Sequence, residues 1–131
     1  MLDISYNGVT LAYIGDAVIE LYLREALISF GVTDTGRLSA AAQKLVCAPM
    51  QSALLEKLLP LLTPEEEAAY RLGRNHKVNG KPKRATVAEY ARATGMEAVF
   101  GYLHLIGAKE RANLLLQEIY MEQLLQMKND I

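Results

Sequence analysis

The sequence has one cysteine, Cys47, two histidines, His76 and His104, and no tryptophan. A lone cysteine rules out an intrachain disulfide framework. With so few histidines beside it, a Cys/His metal cluster has no ligands to draw on. Cys47 lies in "KLVCAPM", a setting that predicts a small core residue, not a nucleophile. No run approaches the roughly 18 consecutive apolar residues of a membrane helix. The opening "MLDISYNG" lacks the basic start and apolar stretch of a secretory signal. Alternating apolar–polar runs separated by turn pairs are also missing, so strands are not expected. These absences predict a soluble, cytoplasmic chain with no membrane partner and no small-molecule cofactor.

What is present is apolar and helical. A chain of 131 residues suits one domain, and at that size roughly two-thirds of the unfolded surface is buried on folding. Hydrophobic residues make up 51%, a high share for a soluble domain. Such an excess points to a second burial surface, an oligomer interface.

Punctuation divides the chain into about six to seven helices, an all-α single domain over residues 1–131. The first runs from about Val9 to Phe30 and stops at Gly31, with Leu11, Ile14, Val18, Leu21 and Tyr22 at helical spacing. A second spans roughly Gly36 to Cys47, with Asp34 or Thr35 as cap. Pro49 fits the first position of a third helix, which Pro60 should end or kink. "TPEEE" predicts a capping box of Thr63 and Glu66, with Pro64 in the first turn of a helix reaching about Leu72. A second box, Thr86 with Glu89, opens a helix through about Ile106. Gly107 breaks it, and a final helix covers about Ala108 to Met127 with a frayed end. On that helix Leu114, Leu115, Ile119 and Leu124 read as core or interface positions, as does His104 on the helix before.

Two carboxylates stand out. In "LAYIGDAVIELYL" Asp16 sits beside Gly15 at the centre of an apolar run. Ala12, Asp16, Glu20 and Arg24 share helical i, i+4 spacing, which allows a solvated stripe carrying a Glu20–Arg24 ion pair. A mid-helix glycine costs up to about 1 kcal/mol relative to Ala, so it marks close packing or close approach. In "RATGMEAVFGYLHL" Glu97 is again a lone acid, with Thr94 and Gly101 along one face. If the two helices pack side by side, Asp16 and Glu97 can share a divalent ion. Hard oxygen ligands suit Mg²⁺, which keeps several waters and takes one or two protein carboxylates.

Net charge is −1, yet from Arg71 to Arg84 there are six basic residues and no acid. Arg71, Arg74, Lys77, Lys81, Lys83 and Arg84 are either a solvated face or a cationic arm for phosphates. Asn75, His76 and Asn79 add hydrogen bonding suited to sugar or phosphate. Little aromatic interleaving accompanies them, which favours a duplex backbone over stacked single strands.

"LAYIGDAVIEL" resembles the signature helix of the ribonuclease III family, and "MEAVFGYLHLIG" resembles that family's second acidic helix. "YRLGRN" with its basic continuation is similar to the segment between them. Length, and the lack of an appended double-stranded-RNA-binding domain, resemble the family's Mini-III branch. The resemblance implies a Mg²⁺-dependent endonuclease that cuts double-stranded RNA as a homodimer, in maturation of the 23S ribosomal RNA precursor. It places the family's catalytic, metal-holding acids on Asp16 and Glu97. Val9, Ala12 and Thr94 stand where larger relatives carry further acids, a reduced set like that of the Mini-III branch. The same reduction motivates an alternative, a non-catalytic RNA-binding or ribosome-associated module.

Overall fold

The computed structural model describes residues 6–76 and 85–130. Six α-helices follow in order: α1 (Gly8–Ser29), α2 (Thr35–Val46), α3 (Ala48–Leu58), α4 (Pro64–Arg74), α5 (Val87–Leu105) and α6 (Lys109–Asp130), with a 3₁₀ turn at Leu59–Leu61. The described residues contain no strand.

The helix ends follow local chemistry. Asn7 caps α1 by accepting from the Thr10 N–H at 2.9 Å, and the helix gives way at Phe30 to Gly31, whose φ of +90° suits glycine. Of the two candidate caps for α2, Asp34 accepts from the Gly36 N–H at 3.2 Å, and Thr35 is the first helical residue. Pro49 occupies the second position of α3, not the first, because Ala48 already belongs to the helix; neither position needs an intrahelical N–H partner. Pro60 ends α3 through the 3₁₀ turn. Both capping boxes form. The Glu66 N–H donates to Thr63 Oγ1 at 3.2 Å and the Thr63 N–H to Glu66 Oε1 at 2.8 Å. Thr86 and Glu89 exchange the same pair of bonds at 3.0 Å each.

Helix α5 is apolar on nearly every side and packs against α1, α3, α4 and α6. Met96, Val99 and Phe100 meet Ile19, Leu23 and Leu27 of α1, Leu54, Leu55 and Leu58 of α3, and Leu116, Ile119 and Tyr120 of α6 in one core. The Tyr120 hydroxyl, pushed well above its usual range chiefly by burial, donates to the Leu45 carbonyl at 2.8 Å.

Several expectations change. Helix α1 turns Leu11, Ala12, Gly15, Ile19, Leu23 and Leu27 inward, leaving Leu21 60% exposed. Helix α4 continues past Leu72 to Arg74; a Cβ on Gly73 would lie 2.6 Å from the Thr94 carbonyl oxygen, so this glycine serves helix contact. Helix α6 does not fray at Met127 but reaches Asp130, with Met127 packed on the core and the Lys128 ammonium 5.8 Å from the Phe30 ring centre. Cys47 is half-buried at the α2–α3 junction and not in the core. On α6, Leu115, Ile119 and Leu124 are buried whereas Leu114 is exposed.

One ion pair ties α6 to the start of α4. Arg111 donates to both carboxylate oxygens of buried Glu66 at 3.0 Å and to the Leu61 carbonyl at 2.7 Å. Burial pushes the Glu66 carboxyl up, but the bonds from Arg111 and Thr63 outweigh it and hold it below the usual range. Arg111→Ala removes the partner of a buried charge. Breaking a buried pair costs roughly 3–5 kcal/mol, and the partial exposure of Arg111 discounts this to about 2 kcal/mol. Urea unfolding will read the loss as a lower midpoint at unchanged slope. A shift below about 0.5 kcal/mol would mean that the latch adds nothing beyond an ordinary surface pair.

Candidate active site

Glycines set the distance between α1 and α5. A Cβ on Gly15 would stand 2.6 Å from the Glu97 carbonyl carbon and 2.8 Å from the Gly101 nitrogen. A Cβ on Gly101 would in turn stand 2.7 Å from the Leu11 carbonyl carbon. Each glycine is therefore seated on the other helix's backbone, closer than any side chain permits. Asp16 follows Gly15 directly, and Glu97 carries the very carbonyl that Gly15 faces. The two helices do pack side by side, which meets the condition set by the sequence and brings the two isolated acids together.

Their electrostatics register that proximity. The Glu97 carboxyl is pushed up to about 8, first by burial, then by the charge of Asp16 and a hydrogen bond between the two side chains. Near neutral pH the pair holds a proton in place of a second negative charge. Asp16 is exposed and Glu97 half-buried, so the pair opens to solvent from a largely closed base. Among the described residues no third His, Cys, Asp or Glu joins them in a metal-binding cluster. Two carboxylates crowded together, with no ion pair to either among the described residues, are a donor set of hard oxygens that fits a Mg²⁺ ion keeping several waters.

Neighbouring residues are already engaged. The Thr94 hydroxyl donates to the Tyr90 carbonyl at 2.9 Å. Glu20 pairs with Arg24 at 2.9 Å, as the spacing allowed, whereas Ala12 is buried and does not belong to that exposed stripe.

The basic residues divide. Arg71 pairs with Glu67 at 2.9 Å, and Arg74 donates to Asn75 at 3.1 Å while lying 5.6 Å from the Tyr70 ring centre. Arg71, Asn75 and His76 line a shallow cleft of about 540 Å³ with Asn7 and Gly8 at the start of α1. Sequence reading did not include Asn7 or Gly8. A Cβ on Gly8 would stand 2.7 Å from the Gly73 nitrogen, and only the contact with α4 discloses this. Lys77, Asn79, Lys81, Lys83 and Arg84 lie outside the described residues. His104 is half-buried in a different groove, with Val18, Leu21 and Tyr22. Among the described residues no helix is long and apolar enough to cross a membrane.

Comparison with known proteins gives the family. The family model of the ribonuclease III domain matches residues 9–107, a span that holds both acids. The chain is 46% identical over 108 residues to the Mini-ribonuclease 3 of Symbiobacterium thermophilum, covering 82% of this chain and 83% of that one. It is 44% identical over 112 residues to the Mini-ribonuclease 3 of Enterococcus faecalis, covering 84% and 85%. A crystal structure of a Fusobacterium nucleatum protein superposes with a TM-score of 0.83 at 28% identity, over 92% of this chain and 96% of that one. The chain belongs to the ribonuclease III family, in its Mini-ribonuclease 3 branch, and is an endoribonuclease.

Proposed function

We propose that this endoribonuclease is Mg²⁺-dependent, cleaves double-stranded RNA as a homodimer in the cytoplasm, and matures the 23S ribosomal RNA precursor. The observation that carries the reading is the pairing of Asp16 with Glu97 at the glycine-seated crossing of α1 and α5. Asp16 and Glu97 would hold the ion, Glu97 giving up its proton as the cation enters. Mg²⁺ bound there supplies a Lewis acid that offsets charge developing on the phosphate and makes water a stronger nucleophile at neutral pH. The carboxylates orient that water toward phosphorus, and cleavage leaves 5′-phosphate and 3′-hydroxyl ends.

RNA grip falls to Arg71, Arg74, Asn75, His76, Lys77, Lys81, Lys83 and Arg84. The cleft of Arg71, Asn75 and His76 supports this with chemistry suited to phosphate and ribose. Dimerisation finds support in the outer face of α1, where Tyr13 is 81% exposed and Leu21 and Ile28 also face solvent. The charges of Glu20 and Arg24, which lie among them, are offset by their ion pair at 2.9 Å. We assign all of residues 1–131 to one endonuclease domain, because Leu115, Leu116, Ile119 and Tyr120 of α6 share the core of the matched segment.

The test is incubation of the full chain with long duplex RNA, with Mg²⁺ or with EDTA. Discrete fragments in Mg²⁺ alone are expected. Retention of duplex without cutting would favour a binding module, and equal cutting in EDTA would remove the metal from the reaction.

A further inference from the structure

Helix α6 lies beyond the segment matched by the family model, and its outer face is not polar. Leu114 is 62%, Met121 47% and Leu125 59% exposed. At i, i+7 and i+11 they form one stripe along the helix, roughly 16 Å from end to end at 1.5 Å per residue. Single exposed apolar residues need no explanation, but an aligned row on a fixed helix marks an interaction surface. The helix is fixed: Leu115, Leu116, Ile119 and Tyr120 bury its inner face, and Arg111 latches its first turns to Glu66.

The charges beside the stripe select its occupant. Glu110 and Glu118 fall on the same face, and no ion pair involves either among the described residues. Glu122, at the edge, is partly offset by Lys57 at 3.4 Å. Lys128, near the far end, leans toward the Phe30 ring. The strip is thus apolar with an acidic border, which repels RNA phosphates and anionic lipid headgroups. A second copy is disfavoured too, because pairing stripe to stripe brings Glu118 against Glu118 or Glu122 of that copy.

We propose that the outer face of α6 docks a basic amphipathic helix of another protein, its apolar side on Leu114, Met121 and Leu125 and its lysines or arginines beside Glu110 and Glu118. Three turns of such a helix match the stripe, with anchors at i, i+3 or i+4, and i+7.

The probe is a labelled 18-residue Leu/Lys amphipathic peptide, compared with its Leu/Glu counterpart by fluorescence anisotropy on the full chain. The Lys peptide is expected to bind at least about tenfold more tightly, a difference of about 1.4 kcal/mol. Leu114→Gln with Leu125→Gln should abolish that binding, and Glu110→Lys with Glu118→Lys should reverse the preference. Both double variants should keep the wild-type melting midpoint and duplex cleavage rate, which separates this surface from the proposed active site. Equal affinity for the two peptides, or Lys-peptide binding that survives Leu114→Gln with Leu125→Gln, overturns the proposal. So does a dimer that dissociates in that variant during sedimentation, which would make a second copy the occupant. Preferential capture of the chain by phosphatidylserine vesicles would likewise overturn it.

Discussion

Asp16→Asn and Glu97→Gln will each yield a folded protein whose cleavage of duplex RNA in Mg²⁺ is lost. The fall should exceed the roughly 10–100-fold that follows loss of a residue merely supporting a metal ligand. Each variant removes one of the two acids that meet at the α1–α5 crossing, and among the described residues no third carboxylate joins them to take over. Gel-resolved cleavage of a long duplex measures the effect, and near-normal rates in either variant would take that residue out of the site. Glu97→Gln has a second signature, in stability without metal. The Glu97 carboxyl titrates near pH 8 in the folded chain against an ordinary value of 4.5. Between those values the folded chain keeps a proton that the unfolded chain has released, so rising pH favours unfolding. In EDTA the wild-type melting temperature should therefore fall from about pH 5 to pH 8, and the Gln variant should escape most of that fall. Parallel curves for the two proteins would show that burial and the neighbouring Asp16 do not hold a proton on Glu97 in the folded chain.

Gly15→Ala will destabilise the fold more than its small size suggests. Ala is the better helix former by about 1 kcal/mol, so propensity alone predicts a gain. The new methyl group would meet backbone, however, at 2.6 Å from the Glu97 carbonyl carbon and 2.8 Å from the Gly101 nitrogen. Backbone cannot rotate aside as a side chain can, so α1 and α5 must move apart along a shared core. Overpacking costs typically about 1–3 kcal/mol, and more where nothing can yield. A net loss of at least about 2 kcal/mol is expected, which lowers the melting midpoint by roughly 4 °C per kcal/mol for a chain of this size. Gly36→Ala is the control, since a Cβ there meets only the Asp34 side chain at 3.6 Å. Equal melting temperatures for the two variants would refute the seat at Gly15. Parting the helices also parts Asp16 from Glu97, so cleavage should drop even at temperatures where the Ala variant stays folded.

Local signals were the legible ones. The Thr63–Glu66 and Thr86–Glu89 boxes lie within four residues of sequence, and both helices begin where those residues say. The pairing of Asp16 and Glu97 was legible in another way: each was an isolated acid in an apolar helix, and the family resemblance placed both helices in one site. What sequence did not disclose depends on contact between distant segments. Gly73 falls just past the expected helix end at Leu72; its reason for being there is the Thr94 carbonyl on another helix. Leu21 has the spacing of a core residue, but a helix with apolar residues on several faces does not declare which will be buried. The neighbours of α1 decide that, and they choose Ile19 and Leu23. The acidic border of the α6 stripe was likewise invisible until its inner face had been fixed.

The capping arrangements at the end of α4 and the start of α5 bear on how the carboxylate pair comes to be placed. Helix α4 closes on its own terms, the Asn75 N–H bonding to the Arg71 carbonyl at 2.9 Å. Helix α5 opens on its own terms, through Thr86 and Glu89. Each of these ends is set within its own few residues, so the start of α5, and with it the level at which Glu97 stands against Gly15, is fixed by local chemistry before any distant contact forms.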